Sequence, residues 1–190
     1  AGALDVIANP GLAAGMSWVI LNKTSAGAIS GTFAGKSQGS TFVASGYTWF
    51  ISYTGGDGND VTLTIPTPLQ QWRLLHFGSM INNDNADANN DLESNLLEYA
   101  TGQNPYSQTR VTTNIVKNGN VIEFVYVKNN SATDLTYQVM WSDTLAANSW
   151  SNLNVTESVM VDGSGTQTIK ASLPAGLNTR RFVRLQVSAP

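Results

Sequence analysis

Apolar and polar residues alternate with a period of two in several short runs over residues 1–65, and glycine-rich turns bound each run, which predicts strands. The runs are MSWVILNK (16–23), AISGTF (28–33), STFVAS (40–45), YTWFISY (47–53) and NDVTLTI (59–65). In the fourth, Tyr47, Trp49, Ile51 and Tyr53 fall on one face. Pro66-Thr67-Pro68 then breaks the pattern and reads as a linker. The period changes in LQQWRLLHFG (69–78), where Leu69, Trp72 and Leu75 or His76 share a helical face and Gly78 marks a stop. A polar stretch follows, and a second short helix is predicted over 92–100. Gly102 stands where a C-terminal glycine belongs, with Pro105 just beyond. Alternation returns after Thr109. NIVKNGNVIEFVYV (114–127) carries the Asn118-Gly119 hairpin signal, Leu135, Tyr137, Val139 and Trp141 alternate in LTYQVMWSD, 159–173 reads as a further hairpin, and RRFVRLQVS (180–188) as a last strand.

The pattern predicts a mainly β chain in three parts. Residues 1–65 form a β-strand module, either the end of a β-helix or sandwich-like. Residues 66–108 form a linker and a short two-helix joint, and 109–190 an antiparallel β-sandwich. Composition agrees. Charged residues are 12% of the chain, about half the usual share, and Asn, Ser, Thr and Gly carry the polarity instead. That mixture favours turns and solvated strand faces over helix surfaces. The net charge of −3 offers no basic surface for nucleic acid. No apolar run is long enough to span a bilayer, and no export-signal pattern is present. The absence of cysteine excludes disulfides and thiolate chemistry. This profile fits an extracellular or cell-surface bacterial protein, and a start in strand-like sequence fits a piece of a longer polypeptide.

The chemistry concentrates in NADANNDLESNLLEYATGQNP (85–105). No Lys or Arg occurs between Arg73 and Arg110, yet five of the thirteen acids, Asp84, Asp87, Asp91, Glu93 and Glu98, lie there. Calcium takes 6–8 oxygen ligands, which a twelve-residue loop supplies from positions 1, 3, 5, 7, 9 and 12. Counting from Asp87, these are Asp87, Asn89, Asp91, Glu93 through its carbonyl, Asn95 and Glu98. Position 6, where the loop turns sharply and glycine is expected, is Leu92. The alternative is a solvated loop in which Asp91 or Asn90 caps the following helix, helped by Glu93 and the helix dipole.

The stretch 86–105 resembles the segment ADPDGDGLSNLLEYALGxxP near the C-termini of large secreted bacterial proteins, itself similar to dockerin-like and thrombospondin type 3-like calcium loops. WRLLHFG resembles the helix that precedes it in such proteins, and VMWSDTL with RRFVRLQV resembles strands of the small sandwich that follows. The stretch from Gly31 to Thr64 resembles the last strands of autotransporter-type β-helical passengers. The resemblance implies calcium ligands at Asp87, Asn89, Asp91, Asn95 and Glu98. Asn89 in place of an acid and Leu92 in place of glycine both imply a weaker site. The resemblance speaks to architecture more than to activity. A calcium-stabilised joint between two β modules, with no catalytic motif beside it, leads to the expectation of a structural or adhesive role in a parent chain or among neighbouring subunits, and no enzyme.

Other features carry less. Gly55-Gly56-Asp57-Gly58-Asn59-Asp60 matches the opening of a calcium-binding nonapeptide repeat, but it occurs once and reads better as a hairpin turn. His76, the only histidine, has no nucleophile motif to serve and reads as packing or capping. The acids outside the loop are too scattered to suggest a glycosidase pair. The five tryptophans sit mostly at core positions, with Trp141 and Trp150 the candidates for stacking on a polysaccharide. Arg180, Arg181 and Arg184 read as a solvated strand edge. A strand-rich chain of low charge also suits self-assembly into a filament by strand addition.

Overall fold

The computed structural model describes residues 2–176 and 180–190. The chain is mainly β, as the alternation predicts, and forms two compact units, one ending at Asn82 and the other running Asn83–Pro190. The division falls inside the predicted joint, so the first helix belongs to one unit and the acidic loop to the other.

In the first unit, β1 (Ser17–Leu21), β2 (Thr41–Ala44), β3 (Tyr47–Gly55) and β4 (Asp60–Thr64) form one antiparallel sheet in the order β1-β4-β3-β2. The inward row of β3 is the one its alternation marks: Trp49, Ile51 and Tyr53 are buried with Val61, Leu63 and Ile65. Leu4, Val6, Ala8 and Leu12 of the leading segment close over this core. The phenol oxygen of Tyr47 accepts from the N–H groups of Gly11 and Leu12, both at 3.1 Å, and pins that segment. Residues 28–33 do not form the predicted strand. Gly27, Gly31 and Gly35 all adopt positive φ, so the backbone turns every few residues. What remains is a single bridge between Phe33 and Lys36, tied down by Tyr53, whose hydroxyl accepts from Phe33 N–H and donates to the Lys36 carbonyl. The glycine-rich 55–60 stretch is the hairpin turn joining β3 to β4.

Helix α1 (Pro68–Phe77) starts one residue earlier than predicted. Thr67 and Gln70 form a reciprocal capping box and Pro68 takes the first helical position, where a missing N–H is harmless. Gly78 at φ 70° ends the helix. Its aromatic face runs through Trp72, His76 and Phe77, with the Trp72 and His76 rings 4.9 Å apart, while Leu75 is 78% exposed. Burial against these rings lowers the pKa of His76.

The second unit begins with the acidic loop and α2 (Asn95–Thr101), followed by β5 (Asn114–Asn118), β6 (Val121–Asn129), β7 (Thr136–Ser142), β8 (Thr156–Asp162), β9 (Thr166–Pro174) and β10 (Phe182–Ser188). One antiparallel sheet has the order β5-β6-β9-β8, and a two-stranded sheet pairs β7 with β10. Their facing rows meet in a core of Ile122, Phe124, Tyr126, Val139, Ile169, Ala171 and Leu173, which makes this unit a sandwich. The β5–β6 turn is Gly119-Asn120, one residue later than the Asn-Gly signal, with Gly119 supplying the positive φ of the first turn position. Helix α2 is docked on the sandwich by hydrogen bonds. Tyr99 donates to Asp134 at 2.9 Å, Tyr137 donates to the Ala100 carbonyl at 2.7 Å, and Asn129 donates to the Tyr99 carbonyl. At Gly102, φ 77°, a Cβ would stand 2.9 Å from the Thr166 side chain.

Two expectations need correction here. Arg181 is not a solvated edge residue. Its side chain is 6% exposed, and the guanidinium grips Asp143 with two hydrogen bonds of 2.8 and 3.0 Å, donates to the Pro174 carbonyl and lies 3.7 Å over the Trp141 ring. Arg184 also stacks on a ring, that of Trp150 at 4.1 Å, but it and Arg180 are exposed. The tryptophans are less buried than predicted: of the five only Trp49 is fully buried in a core, and Trp141 packs, partly buried, against the core of the sandwich. An indole is large and carries one N–H, so partial burial under a cation is a common resting place.

Because Arg181 joins β10 to the end of β7 through a planar, bidentate and stacked contact, lysine cannot replace it. Arg181→Ala should cost the second unit about 2–4 kcal/mol, and Arg181→Lys most of that amount. Chemical denaturation followed by the fluorescence of the tryptophans measures both.

Candidate metal centre

Residues 85–105 fold around their own carboxylates. Asp87 accepts from the N–H of Asp91 at 3.2 Å through one oxygen and from that of Leu92 at 2.8 Å through the other. Asn89 Oδ1 accepts from the same Asp91 N–H at 3.0 Å, and Asp91 accepts from Glu93 N–H at 2.9 Å. These short-range bonds require a tight turn, and the backbone makes it with Asn90 at φ 60° and Leu92 at φ 74°. The glycine position is therefore occupied by a leucine held in the left-handed region, at a cost of roughly 1–2 kcal/mol, with its side chain 82% exposed at the tip. The turn expected of a calcium loop is present despite the substitution.

The helix starts three residues later than predicted. Neither Asn90 nor Asp91 caps it. Ser94 does, its hydroxyl accepting from Leu97 N–H, and the N–H groups of Asn95 and Leu96 donate to the carbonyls of Ala86 and Asp84. This start places Glu98 on the inner face of α2, where its side chain is completely buried. The Asn89 amide nitrogen reaches Glu98 Oε1 at 2.9 Å, Asp91 Oδ2 at 3.1 Å and the Ser107 carbonyl at 2.7 Å. Glu98 Oε2 and Asn95 Oδ1 are buried without a hydrogen-bond partner, while the Asn95 amide donates to the Asn83 carbonyl. Glu93 uses its carboxylate rather than leaving it in solvent. It accepts from Gln103 at 2.6 Å and from Val111 N–H at 3.2 Å.

The electrostatics follow from these partners. Asp87 feels some desolvation, which raises its pKa, but the N–H groups of Leu92, Asp91, Asn90 and Asn89 outweigh it and the net shift is downward. Glu98 moves the other way, to about 7. Burial is the main cause, the charges of Asp91, Asp87 and Glu93 add to it, and the hydrogen bond from Asn89 opposes it only in part.

Of the six predicted ligands, Asn89, Asp91 and Glu98 share a hydrogen-bonded centre, with Asp87 bonded to the backbone beside them. Asn95 lies on the same helix turn as Glu98, and Glu93 is turned toward 103–111. Among the described residues, no three Asp, Glu or His side chains converge as a ready ligand group, and the Asn89 amide bridges Asp91 and Glu98. The donors themselves suit a hard cation. All are oxygen or amide, most are buried, one buried carboxylate oxygen has no partner, and no cationic side chain lies within the segment. The Ser107 carbonyl was not predicted, since a backbone oxygen nine residues past the loop carries no side-chain signal. Gly55–Asp60 contributes no second centre, as Asp60 instead accepts from Lys23 N–H. No protein-family model, no curated protein and no solved structure matches the chain.

Glu98 sets a pH dependence whose sign is fixed. Its folded-state pKa of about 7 exceeds the unfolded value of 4.5, so the folded chain binds more protons between them. The contribution is full below the unfolded value and is lost as pH rises through 7. In chelator-treated buffer the melting temperature should therefore fall from pH 5 to pH 8, and Glu98→Gln should flatten that slope. Leu92→Gly should raise stability by about 0.5–1 kcal/mol, the left-handed strain relieved less the extra freedom of the unfolded glycine. Urea denaturation of the two proteins side by side reads this difference.

Proposed function

We propose that the chain is a non-catalytic structural or adhesive module of a secreted or cell-surface bacterial protein, stabilised by calcium bound at the 87–98 loop. The observation that carries this reading is the pairing of a fully buried, half-unpartnered Glu98 with a loop already turned as a calcium loop requires. Asp87, Asn89, Asp91, Asn95 and Glu98 would hold the ion, and Glu93 would brace the loop against 103–111. A divalent cation would offset the negative charge that the segment gathers without any lysine or arginine. Support for an extracellular setting comes from the absence of cysteine and from the low charge. No helix among the described residues is long and apolar enough to cross a membrane.

Millimolar calcium would occupy a site of roughly 10⁻⁴–10⁻³ M by about half or more. At ten times the dissociation constant the folded state gains about 1.4 kcal/mol. Calorimetric titration should show saturable calcium binding, and melting should rise with calcium and fall back with chelator. Glu98→Ala should remove both effects. No binding heat and an unchanged melting temperature at 5–10 times that range (roughly 10⁻² M calcium) would sink the proposal.

Self-assembly by strand addition is the second reading, and one observation favours it. Strand β1 is a sheet edge without charge or proline, and Trp18, Val19, Ile20 and Leu21 are all exposed on it. Sedimentation should then show association that rises with concentration and is abolished by Val19→Lys, and a concentration-independent monomer would end this reading. Polysaccharide binding by the sandwich has less support, because Trp141 and Trp150 each have one ring face taken by an arginine.

A further inference from the structure

We infer that the side-chain amide of Asn89 fills the cation's place in the metal-free loop, and that calcium would displace it and take the Ser107 carbonyl as a ligand from outside the loop. This rests on the calcium reading above and goes beyond its ligand set.

The Asn89 nitrogen has three acceptors within hydrogen-bond distance, Asp91 Oδ2, Glu98 Oε1 and the Ser107 carbonyl. An amide carries two hydrogens, so three acceptors exceed what it can satisfy at once. The acceptors come from three separate places, the loop, the helix and the turn after the helix, and they meet only at this nitrogen. Asp91 and Glu98 are both buried, and when both are ionised a neutral donor offsets their charge only in part. Glu98 adds Oε2, buried and without a partner. A group of oxygens around one point, more negative than its occupant can balance, is the chemistry of a hard-cation site.

The far side of the amide completes the argument. Asn89 Oδ1 is engaged by Asp91 N–H in the metal-free loop. For the cation to enter, the amide must leave the centre and offer its oxygen there, so the metal-free and calcium-bound loops differ in one side chain's hydrogen bonds. Ser107 is held ready by its own turn. Its N–H donates to the Asn104 carbonyl, Gln108 donates to the Asn89 carbonyl, and Val111 N–H is held by Glu93. A cation bound to the Ser107 carbonyl would therefore fasten the 104–111 segment, which leads into β5, to the loop and to α2.

Two properties follow. A neutral amide at the centre, in place of a third carboxylate, would let the chain fold without calcium. A carboxylate at position 89 converts calcium from an added stabiliser into a requirement. The experiment uses the full chain, calcium chloride and a chelator, with hydrogen exchange read by mass spectrometry. In the wild type, calcium should slow exchange across 105–111 as well as across 87–98. Asn89→Asp should lower the chelated melting temperature and bind calcium roughly tenfold more tightly, since affinity in such loops follows ligand charge. If the wild type binds calcium and protects 87–98 alone, or if Asn89→Asp leaves the chelated melting temperature unchanged, this inference fails and the calcium reading stands. If the wild type binds no calcium, both fall. Should Asn89→Asp not fold in either condition, the exchange pattern of the wild type decides.

Discussion

A buried carboxylate is tolerated only when dipoles, a proton or a cation neutralise it, and residues 85–111 are organised by that constraint. No lysine or arginine lies between Arg73 and Arg110, so the backbone does most of the work. Asp87 is served by the N–H groups of the turn that follows it, Asp91 by Glu93 N–H, and Glu93 by Gln103 and Val111. Each carboxylate thereby fixes the path of the next few residues. The left-handed backbone at Asn90 and Leu92 is the form the chain takes when those N–H groups must all point inward. Glu98, deepest of the four, receives one side-chain donor and keeps its proton to about pH 7.

The helix that carries Glu98 belongs equally to the sandwich. Seven residues are too few to be helical alone, and α2 is held at both faces. On one face its first N–H groups are taken by the backbone of 84–86 and Glu98 meets Asn89. On the other, Tyr99 and Ala100 are buried and hydrogen-bonded to the strands and turns of the sandwich. The loop and the apolar core are thus two ends of a single short element, and disorder in one withdraws support from the other.

Strands with a one-sided environment were legible in the sequence. The row Trp49, Ile51, Tyr53 follows its alternation, and the hairpins at 55–60, 118–121 and 162–167 follow their glycines. Residues 28–33 were not legible, because β-branched and aromatic content outweighed three glycines whose effect depends on φ. The fate of Arg181 was hidden for another reason. Asp143 and Trp141 are far from it in sequence, and only the pairing of β10 with β7 brings them together. In the loop, spacing announced the oxygen donors but not which group each would face, so the Asn89 amide and the Ser107 carbonyl emerge only in three dimensions.

Gly102 illustrates how one position can answer two demands of different kinds. Handedness requires a residue at ease at φ 77°, a requirement asparagine often meets. Space requires that nothing project toward Thr166 of β9, and asparagine does not meet that. The usual exchange between glycine and asparagine at helix ends is closed here. A side chain there would have to displace Thr166 or lift the end of α2 from the sheet, and in the second case the strain would reach Glu98 four residues away.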